Sequence, residues 1–240
     1  MLERLLRSLV TGLAILVVSA AAAGAQKAPK QVIFVDFVVL NEGQGLKDRD
    51  AYDIKALPIA ARHGIKRFAS LDIKHVVRTP GLKPQRLDLW LLPSPQALNA
   101  WAADPEYKAL IAQRDEVHDM KALTLYLAVP ARPMTEFGKH HYLIEIQKTG
   151  SGFSRELFAN YEKKSDQIAA PYAIRRVAVL NMAKKLLGIG PAGQRLNIWH
   201  LPNEQNFSAW GKNKEFKALG PVRQQLFDLP QYLMLIAQGR

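Results

Sequence analysis

A chain of 240 residues with 48% hydrophobic and 22% charged residues has the composition of a globular protein, which excludes a disordered tail, a collagenous chain and a polytopic membrane protein. Thirty-three Lys and Arg against 21 Asp and Glu leave a formal charge of +12, so anionic partners are favoured over cationic ones. Cysteine is absent, which removes disulfides, thiolate catalysis and cysteine-ligated zinc.

The first 25 residues read as a secretory signal peptide. Arg4 and Arg7 precede an uncharged run from Leu9 to Ala23, and Ala23-Gly24-Ala25 offers the small residues of a cleavage site. The apolar run is shorter than the roughly 20 residues that span a bilayer, so a periplasmic or secreted mature protein is expected. An uncleaved anchor is the other reading. Export argues against nucleic acid as a partner despite the charge.

The remainder repeats itself at a shift of 109. Arg86-Leu87-Asp88-Leu89-Trp90 matches Arg195-Leu196-Asn197-Ile198-Trp199, and Tyr52, Arg67, Trp101 and Arg114 fall on Tyr161, Arg176, Trp210 and Arg223. From Ile33 to Val129 there are 27 identities in 97 gapless pairs, where average composition gives roughly six by chance. The expected organisation is a first repeat over 31–130, a linker over 131–140 and a second repeat over 141–240. The period is too long for a solenoid.

In chain order, each copy begins with a β-branched and aromatic run, Ile33 to Leu40 or Tyr142 to Gln147, expected as a strand. A helix follows, Asp48 to His63 or Glu156 to Tyr172, with Pro58 and Pro171 as points of kinking or shortening. Then come two strands forming a hairpin, Arg67 to Val77 with Arg86 to Leu92, and Arg176 to Leu187 with Arg195 to Leu201. Ser94-Pro95 and Asn203 are helix-start signals; Asp104-Pro105 and Asn213 start a second short helix. A fourth strand, Ala122 to Val129 or Tyr232 to Ala237, closes each copy. The fold class is therefore α+β. Two tandem ferredoxin-like βαββαβ units are expected to press their open faces together as an internal pseudo-dimer, within a monomer.

The stretch Leu91-Leu92-Pro93-Ser94-Pro95-Gln96-Ala97-Leu98-Asn99-Ala100-Trp101, followed by Asp104-Pro105-Glu106-Tyr107 and Arg114, resembles the dimeric α+β barrel superfamily. It is most similar to that superfamily's small uncharacterised branch and to NIPSNAP-like proteins. The second copy keeps Trp210, Glu215 and Arg223 but has Lys214 and Phe216 for the Pro and Tyr. The resemblance implies a fold shared by cofactor-free monooxygenases, lactone isomerases, haem-degrading or haem-dependent enzymes and non-catalytic ligand-binding domains, so it implies no single chemistry.

Strand alternation supplies the candidate site residues. Asp36 and Glu145 occupy the same place in the two first strands and are the candidate general bases. Asp72 with Asn181 and Asp88 with Asn197 lie on the following strands, and Trp90 and Trp199 share a face with Asp88 and Asn197. The opposite face of the third strand, Leu87, Leu89, Leu196 and Ile198, is apolar and is assigned to the helices. The mixed face then lines a ligand cleft between two sheets, with Arg67 and Arg176 as candidate anion binders. Tyr52 with Tyr161, and Trp101 with Trp210, fall at apolar helical positions and are expected in the core.

No histidine has a histidine partner at the shift, so no metal site is expected, and no cofactor. Gly188-Ile189-Gly190-Pro191-Ala192-Gly193 spells a dinucleotide fingerprint but precedes a strand instead of a helix. The preferred expectation is an exported, non-catalytic protein binding a small anionic or aromatic ligand, with an anionic envelope surface as a further partner. The alternative is a cofactor-independent oxygenase or isomerase acting on a small aromatic or acidic substrate.

Overall fold

A computed structural model describes residues 31–240. The expected signal peptide at 1–25 lies outside the described residues.

Eight antiparallel strands form one closed barrel. The first half contributes β1 (Val32–Val38), helix α1 (Leu46–Arg62), β2 (Lys66–Arg78), β3 (Arg86–Leu92), the short helices α2 (Gln96–Ala103), α3 (Pro105–Ala109) and α4 (Ile111–Val117), and β4 (Thr124–Pro130). The second half repeats this order with β5 (His141–Gln147), α5 (Arg155–Ala169), β6 (Arg175–Leu187), β7 (Arg195–Leu201), α6 (Glu204–Lys212), α7 (Lys214–Ala218), α8 (Gly220–Leu226) and β8 (Leu233–Gly239). Around the barrel the strands run β1, β3, β2, β8, β5, β7, β6, β4. Each half is thus a four-stranded sheet, and the halves join through β2 with β8 and β4 with β6.

Helix limits follow local chemistry. Asp104 accepts the backbone N–H of Glu106 at 2.9 Å and opens α3, while Asn213 accepts that of Phe216 at 3.0 Å and opens α7. Asn203 caps α6 through Asn206 N–H at 2.8 Å. Ser94 does not cap with its side chain; α2 starts without a side-chain cap. Pro58 sits inside α1 without ending it, whereas Pro171 lies in a 3-10 turn, Ala170–Tyr172, that continues α5.

The barrel interior is a single packed core drawn from both halves. Ile33, Val35, Phe37, Leu87 and Leu89 meet Ile144, Ile146, Leu196, Ile198 and Leu235 there. This reverses the face assignment made from sequence. A small closed barrel fills its interior with side chains, so it takes the more apolar face of each strand. The mixed face, with its carboxylates and indoles, turns outward and is covered by the helices. The expected cleft between two sheets does not exist, because the sheets are joined at both edges.

The strands that cross between halves are long. The C-terminal end of β6 lies beside β4, pairing Leu187 with Leu125, and that of β2 lies beside β8, pairing Arg78 with Met234. Gly188, at φ +97°, turns the chain immediately after β6; a Cβ there would lie 1.9 Å from the Leu123 carbonyl oxygen, so only glycine lets the turn close against β4. No described helix is long and apolar enough to cross a membrane.

Candidate active site

Between the outer face of the first-half sheet and helices α1 to α4 lies a cavity of about 150 Å³. Its walls are mostly apolar: Phe34 and Trp90 from the sheet, Leu98, Trp101, Tyr107 and Ile111 from the helices, and Leu186 and Leu187 from the end of β6. The polar groups that reach it are Asp36, Arg49, Tyr52, Asp53, Arg114 and His118. Apolar walls with a few convergent polar groups are the usual make-up of a small-molecule site.

Asp36 is the distinctive group. Its side chain is 15% exposed and receives no hydrogen bond among the described residues; the nearest cation is Arg49, whose Nη2 is 3.8 Å away. Burial pushes the carboxyl up to about 7, with Asp88 and Asp53 adding to the rise and Arg49 opposing it. Near neutral pH this group is therefore poised between acid and base.

Arg49 is itself buried and committed. Its Nη1 is 2.6 Å from Asp53 and its Nη2 is 3.0 Å from Asp88, a residue with no exposed side-chain surface. Asp53 also pairs with Arg67, and Arg86 connects the network to Asp50 and Asp72, each at 2.8 Å. The i, i+4 spacing of Arg49 and Asp53 along α1 sets both groups on the face that meets the sheet.

His118, at the end of α4, donates Nδ1–H to the Arg114 carbonyl at 2.7 Å and packs edge-on against Tyr52 at 5.1 Å. Burial, followed by the charge of Arg49, lowers its pKa to about 4, so the ring is neutral at physiological pH. Burial raises the Tyr52 phenol, with Tyr107 beside it adding to the effect. The indole Nε1 of Trp90 and that of Trp101 are buried and have no partner.

The sequence-derived candidates separate into two groups. Asp36 and Trp90 line the first-half cavity, and Glu145 and Trp199 line a cavity of about 110 Å³ in the second half. The others line neither. Asp72 accepts Arg86 Nε at 2.8 Å and Asn181 accepts Arg195 Nη1 at 2.8 Å, so this pair holds structural arginines. Asp88 anchors Arg49, and Asn197 is buried beneath the second-half helices. Arg67 is bound to Asp53 and Arg176 to Glu162 and Asp166, with their guanidinium groups over Trp90 at 5.8 Å and Trp199 at 4.2 Å. Both arginines are neutralised and packed, which leaves them unsuited to hold an anionic ligand. Tyr52 and Trp101, expected in the core, border the cavity.

Arg49 and His118 were missed. Both occupy positions where the copies differ, Phe158 and Phe227 standing at the shift, and the retained pairs were the signal followed. A comparison seeking what only one copy carries would have found them.

Haem enzymes share the implied superfamily. His118 is the one imidazole lining the cavity, and about 150 Å³ is below the several hundred typical of drug-sized ligand sites, so a macrocycle does not fit this site. Among the described residues no group of three or more His, Asp or Glu is placed to hold a metal ion.

The chain has the fold of the dimeric α+β barrel superfamily. An anthrone oxidase-like protein matches with a TM-score of 0.54 and 12% identity, over 88% of this chain and 92% of the other. A protein described as a monooxygenase from Lactobacillus acidophilus NCFM matches at 0.51 and 9%, over 88% and 94%. A mutant chlorite dismutase from Candidatus Nitrospira defluvii, in complex with cyanide, matches at 0.54 and 8%, over 89% and 92%. No family model matches the chain, and no curated protein does.

These neighbours correct the functional expectation. They carry the names of oxidising enzymes and of a dismutase, where a non-catalytic exported binding protein was expected. The inter-sheet cleft on which that expectation relied is packed solid.

Proposed function

We propose that the protein is a cofactor-independent enzyme, an oxygenase or isomerase, that removes a proton from a compact aromatic or weakly acidic substrate in the first-half cavity. The observation that carries this reading is Asp36, a carboxylate held at about 7 without a hydrogen-bond donor, in an apolar cavity. A base whose pKa lies near the working pH transfers protons most effectively. Asp36 takes the substrate proton, and the buried Trp90 Nε1–H, which has no acceptor among the described residues, donates to the oxygen on which charge develops. Arg49, fixed by Asp88 and Asp53, adds a positive field without leaving its partners. In an oxygenase the electron-rich anion then reacts with dioxygen as co-substrate. In an isomerase Asp36 returns the proton to a second carbon.

The architecture supporting this reading is a pair of tandem ferredoxin-like units, 31–130 and 141–240 about a linker at 131–140, closing the barrel within one monomeric chain. The 109-residue repeat and the matching strand order of the halves support that assignment. Export to the periplasm or beyond is supported by the character of residues 1–25.

The test is oxygen uptake and carbon-bound deuterium washout with a panel of carbon acids, anthrone and monocyclic 1,3-diketones among them. Asp36→Asn is expected to reduce turnover by roughly 10²- to 10⁴-fold. In the wild type, kcat/KM should rise with pH and level off above about 7, as Asp36 ionises. Full activity in the Asp36→Asn variant would rule the assignment out.

A further inference from the structure

Arg114 and Arg223, one of the three arginine pairs that the halves share, have different surroundings. In the first half, Arg114 donates from Nε and Nη2 to Asp115 at 2.8 and 2.6 Å, and Leu186 and Leu187 close the cavity beside it. At the 109-residue shift, Gln224 stands for Asp115, and Val77 and Arg78 stand for Leu186 and Leu187. Among the described residues, Arg223 consequently pairs with no carboxylate: its Nη2 donates to the Phe216 carbonyl at 3.0 Å, its guanidinium lies 4.4 Å over the Phe216 ring, and its Nε is buried without a partner.

Arg223 borders the second-half cavity and also a neighbouring groove of about 490 Å³. The groove is lined by three cations, Arg78, Lys217 and Arg223, and by no carboxylate. Arg78 reaches only the Leu229 carbonyl, at 3.4 Å. Glu145 lies in the adjoining cavity, but Trp199 Nε1 and the Tyr232 hydroxyl, each at 2.7 Å, already occupy its two oxygens. Phe216, Leu229 and Met234 give the groove an apolar side. Three positive groups facing one concavity repel one another unless a negative charge joins them.

We propose that this groove is a second ligand site, separate from the first-half cavity, for a small organic anion. The charged head sits among Arg78, Lys217 and Arg223, and an apolar body lies against Phe216, Leu229 and Met234. The cations confer selectivity for charge, and the concavity selects for size.

Calorimetric titration of the full chain with benzoate, neutral benzamide and inorganic phosphate tests this. Benzoate should bind at millimolar concentration or below, at least about tenfold more tightly than benzamide or phosphate, and more weakly as salt is raised. Arg78→Gln, at the exposed end of β2, and Arg223→Gln should each weaken benzoate by about tenfold or more, while Asp36→Asn leaves it unchanged. Because Arg223 also packs on Phe216, its variant is read alongside a thermal melt, and Arg78→Gln decides the outcome if that variant unfolds. No benzoate binding by the wild type, equal affinity for benzamide, unaltered affinity in Arg78→Gln, or loss on Asp36→Asn would each overturn the proposal. Loss on Asp36→Asn would place the anion in the first-half cavity.

Discussion

The two cavities share equivalent positions and differ in how their polar groups are partnered. Every residue lining the second is the 109-residue counterpart of one lining the first, from Leu143 for Phe34 to Met234 for Leu125. In the first, Asp36 has no donor and Trp90 Nε1 has no acceptor. In the second, the carboxylate is one methylene longer, and Glu145 reaches Trp199 Nε1 and the Tyr232 hydroxyl, with Leu123 standing where Tyr232 would be. Burial, then the charge of Glu145, pushes the Tyr232 phenol well up, which keeps it a donor. One copy has satisfied its polar groups internally. The other leaves its carboxylate and its indole N–H without hydrogen-bond partners among the described residues. The difference teaches that groups left unsatisfied are the ones available to a ligand, while satisfying them internally stabilises the fold.

The charges beneath the two carboxylates differ as a pair. Arg49 and Asp88 of the first half are Phe158 and Asn197 in the second, so the second half lacks both the buried cation and its carboxylate partner. Arg49→Phe alone should break the comparison most severely. It strands Asp36 and Asp88 as buried carboxylates, leaves Asp53 to Arg67, and should cost about 3–5 kcal/mol in urea unfolding. Adding Asp88→Asn, the second-half solution, should recover a substantial part of that loss. A double variant no more stable than the single one would show that the exchange is not coupled.

Asp36→Asn should raise stability while it removes activity. The folded pKa of Asp36, about 7, lies above its ordinary value of 3.8. Stability is therefore fullest below pH 3.8 and is lost as pH rises through 7, by roughly 4 kcal/mol at most. The variant should match the wild type near pH 4 and exceed it above pH 7 when unfolding is followed across pH. Equal stability of the two at pH 8 would show that Asp36 ionises without cost.

The smallest effect is expected at Glu145. Glu145→Gln leaves one of two buried donors without an acceptor, at a cost of about 1–3 kcal/mol, and should leave turnover with any carbon acid unchanged. Turnover lost in Glu145→Gln and kept in Asp36→Asn would exchange the roles of the two halves.

Much of the fold was legible because each copy checked the other. The third strands, Arg86–Leu92 and Arg195–Leu201, match their expected limits, and Asp104 and Asn213 start the short helices at the expected points. The face of the sheet was not legible. Alternation shows that Leu87 and Leu89 oppose Asp88 and Trp90, but it does not say which set points inward. That depends on closure through β2 with β8 and β4 with β6, a long-range event with no local signature. Asp36 and Trp90, the sequence-derived candidates that line the first cavity, therefore face helices where a second sheet was expected. The helices that cover them add Arg49 and His118, at positions where the two copies differ and repeat matching carries no signal.

Each half also supplies part of the other's enclosure. Leu186 and Leu187 at the end of β6 wall the first cavity, and Val77 and Arg78 at the end of β2 border the groove beside the second. In a homodimer of separate chains, symmetry would force any substitution to appear in both places at once. A single chain carries no such constraint: β6 ends in two leucines where β2 ends in Val77 and Arg78, so the two compartments are unlike while each keeps its lid.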